Sequence, residues 1–276
     1  MSASDAPLRI LQVGSGFPGW GGTELHLVNL GEQLALRGHH VTVSARPGGF
    51  VEREAQNRGL PTAPVTVRRQ WDFGDRAAIR RLLTSEPWDV VHVHWSTDYV
   101  VTPILARRAG VPCVVMSRHS PYPLKSLVGR VLYDRVLFDR VIALSESVRQ
   151  TLIGVGGRQR PDKVVTIHHG TDTEAFRATT VAPDVVRAEW NIPPGRFVVG
   201  LAGRIAPEKG YAVFLDAVAQ AVTSGANLHA VVIGDGPDAE IAKARAAQSD
   251  LSGRVTFAGF RADVNNALNA DRKSVV

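Results

Sequence analysis

Cysteine is almost missing from this sequence: Cys113 is the only one among 276 residues, so no disulfide bond can form within the chain. That composition is typical of the reducing cytoplasm, where we expect the protein to act. Long apolar runs are missing too, and none approaches the roughly 20 residues of a membrane-spanning helix. The N-terminus, MSASDAPLRI, lacks the basic stretch of a signal peptide.

The common metal-binding and nucleophile motifs are also absent. The sequence has no HExxH, no CxxC and no DxD pair of carboxylates, so we expect no metal ion. A serine-hydrolase elbow and a Walker lysine loop are missing as well, which argues against those enzyme classes.

Charge is unevenly distributed along the chain. Residues 1–180 contain 22 Lys and Arg against 16 Asp and Glu, whereas the remainder contains 10 of each. The basic excess indicates either a solvated, arginine-rich surface or an anionic partner. We expect no nucleic-acid partner.

Short apolar runs rich in Val and Ile recur along the chain and are continuous rather than alternating, which indicates strands covered on both faces. They span residues 8–13, 40–45, 89–94, 112–117, 139–144, 163–168, 197–203, 229–236 and 254–260. Helical patterns lie between them, at residues 24–37, 75–85, 98–109, 124–135, 145–153, 209–222 and 238–247. Alternating strands and helices predict an α/β fold with parallel sheets and right-handed crossovers.

About nine parallel strands would make a large single sheet, so we predict two doubly wound, Rossmann-like domains. Turn and proline signals cluster at residues 175–195. The predicted domains are therefore residues 1–180 and residues 181–270. Ligands of such sheets bind beyond the carboxyl ends of the strands.

Two glycines, Gly21 and Gly22, precede a predicted helix that opens at Thr23. Glycine lets a ligand approach the backbone closely, and a helix N-terminus offers free N–H groups to an anion. A tight strand-to-helix turn capped by Thr23 is the alternative. Both interpretations stay open.

Arg118 and His119 follow directly after a predicted buried strand. A histidine at that position can donate hydrogen bonds to the hydroxyl groups of a ligand, although a single histidine is more often structural. His92 and His94 lie within a predicted strand, and we interpret them as packed or hydrogen-bonded core groups.

The most specific feature is GLAGRIAPEKG, residues 200–210. It places Arg204 in the loop after a strand and Lys209 where the next helix begins. A guanidinium fork and an ammonium group beside a helix N-terminus predict a clamp for a diphosphate. A solvent-exposed basic turn is the alternative.

A second glycine turn, Gly259, Phe260 and Arg261, follows the last predicted strand. Its shape suits a wall for a planar base. An ordinary helix start capped by Asp263 explains the same residues equally well.

In order and spacing, these segments resemble glycosyltransferase family 4, whose members are retaining enzymes of the GT-B fold. The resemblance runs from residue 8 to residue 270 and rests on GGTELHLVNLGEQLALRGHHVTV, SRHS, ALSESVRQTL, KVVTIHHGTDTEAF, GRIAPEKG, VIGDGP and RVTFAGFRADVNNALNA. It implies transfer of a sugar from a nucleotide-diphosphate sugar to a cytoplasmic glycan, lipid-linked or small-molecule acceptor, as in cell-envelope polysaccharide biosynthesis. The nucleotide sugar is then a substrate, and no separate cofactor is expected.

The resemblance also implies roles for individual residues. Gly21 and Gly22 would line the cleft near the reacting sugar, and His119 would contact the donor sugar close to the reacting carbon. Arg204 and Lys209 would neutralise the leaving diphosphate without a metal. The turn 259–261 would hold the base, mainly through backbone around Phe260. Retention in the family is attributed to same-face attack, with a donor phosphate oxygen taking the acceptor proton.

The chain departs from the family pattern after residue 270. Family members continue with a strand and a loop bearing two glutamates, E-x7-E, which hold the donor sugar and ribose. This chain instead reads DRKSVV at residues 271–276. GAT CGG AAG AGC GTC GTG encodes those residues and resembles a sequencing adapter, so we expect an artefactual tail; a plain polar tail is the alternative. The second domain would then be incomplete and the chain by itself inactive.

Two other functions share these features. A sugar epimerase of the GT-B fold has the same architecture, and a non-catalytic protein that binds sugar nucleotides would also lack the glutamate loop. Separately, residues 125–140 alternate basic and apolar side chains. They predict either a helix at the inner face of an anionic membrane or one that packs its apolar face on the sheet.

Overall fold

The computed structural model describes residues 6–14, 21–65, 73–120, 137–154, 159–177, 180–261 and 263–269. They form two compact units, Met1–Gly170 and Thr171–Val276. Each unit has a sheet of parallel strands joined by helices, which confirms the predicted α/β class. In these ranges no helix combines the length and the apolar character that crossing a membrane requires.

The sheet of the first unit has seven described strands. They are β1 (Arg9–Gly14), β2 (His40–Ala45), β3 (Thr62–Pro64), β4 (Val90–Val93), β5 (Cys113–Arg118), β6 (Arg140–Ala143) and β7 (Val164–Thr166). All neighbours are parallel, in the order β3-β2-β1-β4-β5-β6-β7. Successive strands are added toward one side of the sheet from β1 to β3 and toward the other side from β4 onward, so the strand order reverses between β1 and β4. Ligands of doubly wound sheets bind beside such a switch point.

All the described helices of the first unit except the second lie close to predicted positions. In chain order, the described helices are α1 (Gly22–Leu36), α2 (Phe50–Asn57), α3 (Phe73–Ser85), α4 (Val101–Arg108) and α5 (Glu146–Ile153). The expected opening at Thr23 is wrong by one residue, because α1 begins at Gly22 with Gly21 in the N-cap position and no side-chain cap. By contrast, Ser145 caps α5 with a 3.2 Å bond that its hydroxyl accepts from the backbone N–H of Val148.

The two faces of the first sheet differ in chemistry. Because side chains alternate along a strand, one face carries the apolar members of β1, β4, β5 and β6, which pack with side chains of α3 and α4. The residues of that core include Leu11, Val13, Val91, Val93, Val114, Met116, Val141, Ile79, Leu83 and Ala106. On the opposite face, β1, β4 and β5 place the buried polar side chains of Gln12, His92 and Ser117. There the apolar Val43 and Ala45 of β2 pack in a separate cluster with side chains of α1 and α2.

The second unit is a smaller doubly wound sheet. Its described strands β8 (Phe197–Ala202), β9 (Leu228–Ile233) and β10 (Val255–Gly259) are parallel in the order β10-β9-β8. Its described helices are α6 (Thr173–Arg177), α7 (Pro183–Glu189), α8 (Tyr211–Thr223), α9 (Ala239–Ala246) and α10 (Val264–Asn269).

Helices cover both faces of this second sheet. Leu215 of α8 packs in a cluster with Val232 on one face, and Val186 of α7 joins Val231 on the other. The segment 175–195, where the sequence predicts a domain boundary, thus contributes α7 to the second unit.

Several predicted features lie outside the described residues. These are the helix at 124–135, most of the basic and apolar segment 125–140, and the tail 271–276. At the described end of that segment, Leu137 and Phe138 are buried and Arg140 is the first residue of β6.

Candidate functional site

Five histidines gather at the carboxyl edge of the first sheet. His92 and His94 belong to β4 and the residue after it, His119 follows β5, His169 lies beyond β7, and His26 is on α1. Their ring centroids are between 3.6 and 6.1 Å apart in successive pairs. We call this group the histidine cluster.

Hydrogen bonds connect part of the cluster to the strand beside the switch point. Nε2 of His94 lies 2.7 Å from Oε1 of Gln12, and Nδ1 of His94 lies 3.2 Å from Nε2 of His119. His92 pairs separately, with Nε2 2.8 Å from Oγ of Ser117. Gln12, His92, His94 and Ser117 are all buried. The interpretation of His92 and His94 as hydrogen-bonded core groups therefore agrees with the contacts, but His94 also contacts the predicted site residue His119.

The outer part of the cluster is held by ring contacts. His26 stacks on His169 with centroids 3.6 Å apart and planes 15° from parallel. His119 lies near both rings, at 5.6 Å from His26 and 5.3 Å from His169. Tyr99, between β4 and α4, is tied to β5 because its hydroxyl donates a 2.6 Å hydrogen bond to the carbonyl oxygen of Ser117. Contacts within the chain therefore already hold the rings of the histidine cluster in place.

Burial keeps these imidazoles neutral at physiological pH. Desolvation, reinforced by the neighbouring rings, lowers the pKa of His119 to about 3 and that of His26 to about 4. Burial likewise lowers the pKa of His92 to about 3 and holds the pKa of His94 well below its ordinary value. Partial burial also lowers the pKa of His169. A neutral imidazole offers one donor and one acceptor nitrogen, which suits recognition of hydroxyl groups.

The predicted glycines Gly21 and Gly22 lie at the start of α1, the helix that carries His26. Gly21 is extended, with φ −176° and ψ −176°, and a Cβ there would lie 3.0 Å from Oε2 of Glu24. A Cβ on Gly22 would meet no atom within 4 Å among the described residues. Packing within the described chain therefore gives no reason for glycine at position 22, and approach of a ligand remains the interpretation we keep.

Arg204 and Lys209 lie at the carboxyl edge of the second sheet, between β8 and α8. Arg204 is paired with Glu208, and both side chains are about half exposed, at 46% and 50%. Lys209 is exposed and ends a short 3-10 turn, Pro207–Lys209. Gly210 then adopts a left-handed conformation, with φ 72°, and α8 begins at Tyr211. Lys209 therefore stands directly before a helix N-terminus, and Arg204 lies in the loop that leads to it, as the sequence predicts.

Backbone contacts with the neighbouring turn hold the Arg204 loop in place. Ile205 donates a 3.0 Å bond to the carbonyl of Asp235 and accepts a 3.2 Å bond from the N–H of Asp238. The approach is close: a Cβ on Gly236 would lie 2.2 Å from the Ile205 oxygen, and one on Gly234 would lie 2.0 Å from the Gly203 oxygen. Glycine is therefore required here for packing, and the segment VIGDGP supports the loop that carries Arg204.

The turn after β10 contains the remaining predicted donor-binding residues. Gly259 has φ 66°, and the side chain of Phe260 is 52% exposed. Arg261 bonds to Asp263 at 2.9 Å, pairs with Glu189, and lies 5.7 Å from the ring centroid of Trp190. Asp263, and then Glu189, raise the pKa of Arg261 above its ordinary value. Arg261 is therefore tied to its own unit, and Phe260 stands exposed beside it.

Sequence reasoning identified the positions at the strand ends but missed several of their neighbours. His26, His169 and Gln12 received no role, and nothing local marks them as partners of His119. One signal was the histidine content of segments that end at the same sheet edge, since parallel strands bring their carboxyl ends together. Among the described residues, no group of three or more His, Cys, Asp or Glu side chains is arranged to hold a metal ion.

Curated relatives resemble most of this chain. A 2-deoxystreptamine glucosyltransferase of Streptomyces kanamyceticus is 28% identical over 222 residues, which cover 74% of this chain and 56% of the relative. A UDP-Gal:alpha-D-GlcNAc-diphosphoundecaprenol alpha-1,3-galactosyltransferase of Escherichia coli is 24% identical over 222 residues, covering 76% of this chain and 57% of the relative. The chain thus spans little more than half the length of these relatives.

The fold has a close counterpart among solved structures. HepE of Anabaena, crystallised with UDP and glucose, superposes with a TM-score of 0.80 at 22% identity, and the match covers 97% of this chain and 73% of HepE. This likeness confirms the predicted GT-B-like architecture. Residues 184–276 match the sequence profile described as Glycosyl transferases group 1, and residues 20–175 match that of Glycosyltransferase Family 4. Since the second of these matches spans more than half of the sequence, the chain belongs to glycosyltransferase family 4.

Proposed function

We propose that the whole protein transfers a sugar from a nucleoside-diphosphate sugar to an acceptor hydroxyl, with retention of the anomeric configuration and without a divalent metal ion. The matched part of the chain covers little more than half of each of these curated relatives, so the activity is assigned to the whole protein. Residues 1–276 alone are proposed to bind a nucleoside diphosphate weakly and to transfer nothing. The reason is that the E-x7-E loop, which the family resemblance leads us to expect after residue 270, is not among them.

The observation that carries this proposal is the placement of Arg204 and Lys209 before α8. When the bond to the sugar breaks, negative charge grows on the leaving diphosphate. Preorganised cations and a helix N-terminus at that point stabilise the charge where it develops. Arg204 already holds an exposed carboxylate, that of Glu208, and a diphosphate would take the place of this partner.

The donor is proposed to carry uridine diphosphate. HepE was crystallised with UDP, and the E. coli relative is named for UDP-Gal. The exposed Phe260 ring and the left-handed Gly259 form a turn on which a planar base can lie. His119 and its neutral partners are proposed to face the sugar hydroxyls.

Transfer and its stereochemistry can be measured together. The whole protein would be incubated with UDP-glucose or UDP-galactose and a panel of sugar, lipid-linked and aminocyclitol acceptors, with and without a chelator. We expect an α-linked product from the α-linked donor and equal rates in both conditions. A β-linked product, or a strict requirement for a divalent metal, would contradict the mechanism; epimerised donor with no transfer would favour the epimerase instead.

The reaction is proposed to take place in the cytoplasm, with an acceptor at the inner face of the membrane. The support is the basic excess of residues 1–180 and the lipid-linked substrate in the name of the E. coli relative. Each cation near an anionic surface contributes about 1 kcal/mol to binding. Co-sedimentation with anionic vesicles that is lost at high salt would support this placement, and no binding at low salt would end it.

A further inference from the structure

We propose that Gln12 and His94 are positioning residues that fix the tautomer of His119, so that Nδ1 of His119 is an acceptor for a sugar hydroxyl. The inference rests on the proposed function, since it concerns how the same site recognises its donor. It replaces the expectation that His119 donates to a hydroxyl.

The chain of hydrogen bonds has a direction that starts at Gln12. Its Oε1 atom can only accept, so the proton of His94 lies on Nε2, 2.7 Å away. A neutral His94 then has a bare Nδ1, which accepts a bond of 3.2 Å from Nε2–H of His119. His119 in turn keeps its proton on Nε2 and leaves Nδ1 as a lone pair.

Neutrality of both rings is what gives the chain a single direction. Burial lowers the pKa of His119 to about 3 and the pKa of His94 well below its ordinary value, so neither ring carries a second proton at neutral pH. Gln12 is fully buried and belongs to β1, next to β4 in the sheet. The register of the two strands therefore holds the amide and the imidazole in place.

The far end of the chain is an unused acceptor. Nδ1 of His119 is buried and has no hydrogen-bond partner in the part of the chain that the structure describes. A buried polar atom without a partner costs free energy, which a donor group entering the site would recover. A sugar hydroxyl satisfies this acceptor, whereas a sugar lacking that hydroxyl leaves it unpaired.

The tautomer can be read directly by nuclear magnetic resonance. In residues 1–276 labelled with isotopic nitrogen in histidine, two-bond proton–nitrogen spectra distinguish a protonated from a bare ring nitrogen. The His119 signals are assigned by their loss in His119→Gln. We expect a protonated Nε2 and a bare Nδ1. A protonated Nδ1 would mean that the Gln12 amide has the opposite orientation and would overturn the assignment.

Two variants separate positioning from packing. Gln12→Met keeps the length of the side chain and removes the acceptor, so the His119 nitrogen signals should shift toward a mixture of tautomers. His92→Phe is the matched control, because His92 is also buried, on the neighbouring strand β4, but bonds to Ser117 and not to His94 or His119. It should leave the His119 signals unchanged. Unchanged His119 signals in Gln12→Met would refute the relay.

Activity of the whole protein supplies the second readout. Losing one neutral hydrogen bond to the sugar corresponds to a decrease of about fivefold to tenfold, which we expect in kcat/KM for Gln12→Met. The variant should also discriminate less between the natural donor and deoxy-sugar donors. If wild-type protein transfers no sugar while the spectra show the predicted tautomer, the proposed function fails and the relay stands.

Discussion

The two sheet edges of this protein use opposite means to prepare for a polar ligand. At the edge of the first sheet, the polar groups are imidazoles that are buried, bonded to one another and kept neutral. At the edge of the second sheet, they are the exposed cations Arg204 and Lys209, and Arg204 pairs with the exposed carboxylate of Glu208. Burying a charge is costly, whereas burying a neutral, hydrogen-bonded group costs little.

Under the proposed function, this difference gives each edge its own kind of recognition. Neutral imidazoles held in a fixed network can discriminate hydroxyl positions, because every donor and acceptor is already assigned. Exposed cations with an exchangeable partner bind charge strongly but specify little geometry beyond the fork of Arg204. A nucleoside-diphosphate sugar needs both properties, one for the sugar and one for the diphosphate.

The largest expected effect is that of acid on the first sheet edge, where it should lower the stability of the first unit. The folded pKa values of His26 and His92, about 4 and about 3, lie below the value of about 6.5 for an unfolded chain. As pH falls below 6.5, the unfolded chain takes up protons first, so stability present above about pH 6.5 is lost toward about pH 4. At about 1.4 kcal/mol per pKa unit, this acidification should lower the free energy of unfolding of the first unit by an amount on the order of several kcal/mol.

Unfolding in urea at about pH 7.5 and about pH 5, followed by hydrogen exchange of peptides from each unit, would measure this loss. The second unit has one comparable histidine, His229, whose pKa burial lowers to about 4, so it should lose less. His92→Phe should flatten the pH dependence of the first unit. Equal losses in both units would show that the cluster does not control the acid response.

The next largest effect is expected at the second sheet edge, where removing a cation should lower turnover. In the whole protein, Arg204→Ala or Lys209→Ala leaves charge on the leaving diphosphate uncompensated, and turnover should fall by roughly 10²-fold or more, about 3 kcal/mol. The measurement is kcat with the best donor and acceptor pair.

Lys243→Ala is the control for this substitution. Lys243 is an exposed cation of the same unit that belongs to α9 and pairs with Glu240 instead of standing before α8. It should retain wild-type turnover. Normal turnover by the double variant Arg204→Ala and Lys209→Ala would remove the diphosphate role from both residues.

A smaller effect, on stability, is expected from a substitution in the turn that supports the Arg204 loop. Gly236→Ala puts a Cβ 2.2 Å from the backbone oxygen of Ile205, which cannot move as a flexible side chain would. We expect the free energy of unfolding of the second unit to fall by about 1–3 kcal/mol. Gly200→Ala is matched, since its Cβ would lie 3.7 Å from the nearest atom, and urea unfolding should show little change. Equal stability of the two variants would contradict the close approach.

Local pattern predicted most of the fold. Continuous runs of Val and Ile placed every described strand except β3, whose three residues are too short to give a pattern. The helices α2, α6, α7 and α10 were missed for a similar reason, since each has eight residues or fewer. The elements β3 and α2 exist because the neighbouring sheet and α1 provide packing that a local window does not contain.

The candidate site was predictable in position but not in its contacts. The strand-end rule placed His119, Arg204 and Lys209 at sheet edges. The bond between Gln12 and His94 joins residues 82 positions apart, and that between His94 and His119 joins residues 25 apart. Such pairs depend on strand order and register across the sheet, which a single sequence does not display.

The backbone bonds of Ile205 have a consequence for protein engineering. Residues 235 and 238 hold Ile205 through its main-chain N–H and carbonyl, so the loop has a support that the side chain at position 204 does not supply. A transplant of residues 200–211 alone into another scaffold would therefore lose its shape. A graft that also carries residues 233–238 would preserve it and would allow the chemistry at positions 204 and 209 to be exchanged independently.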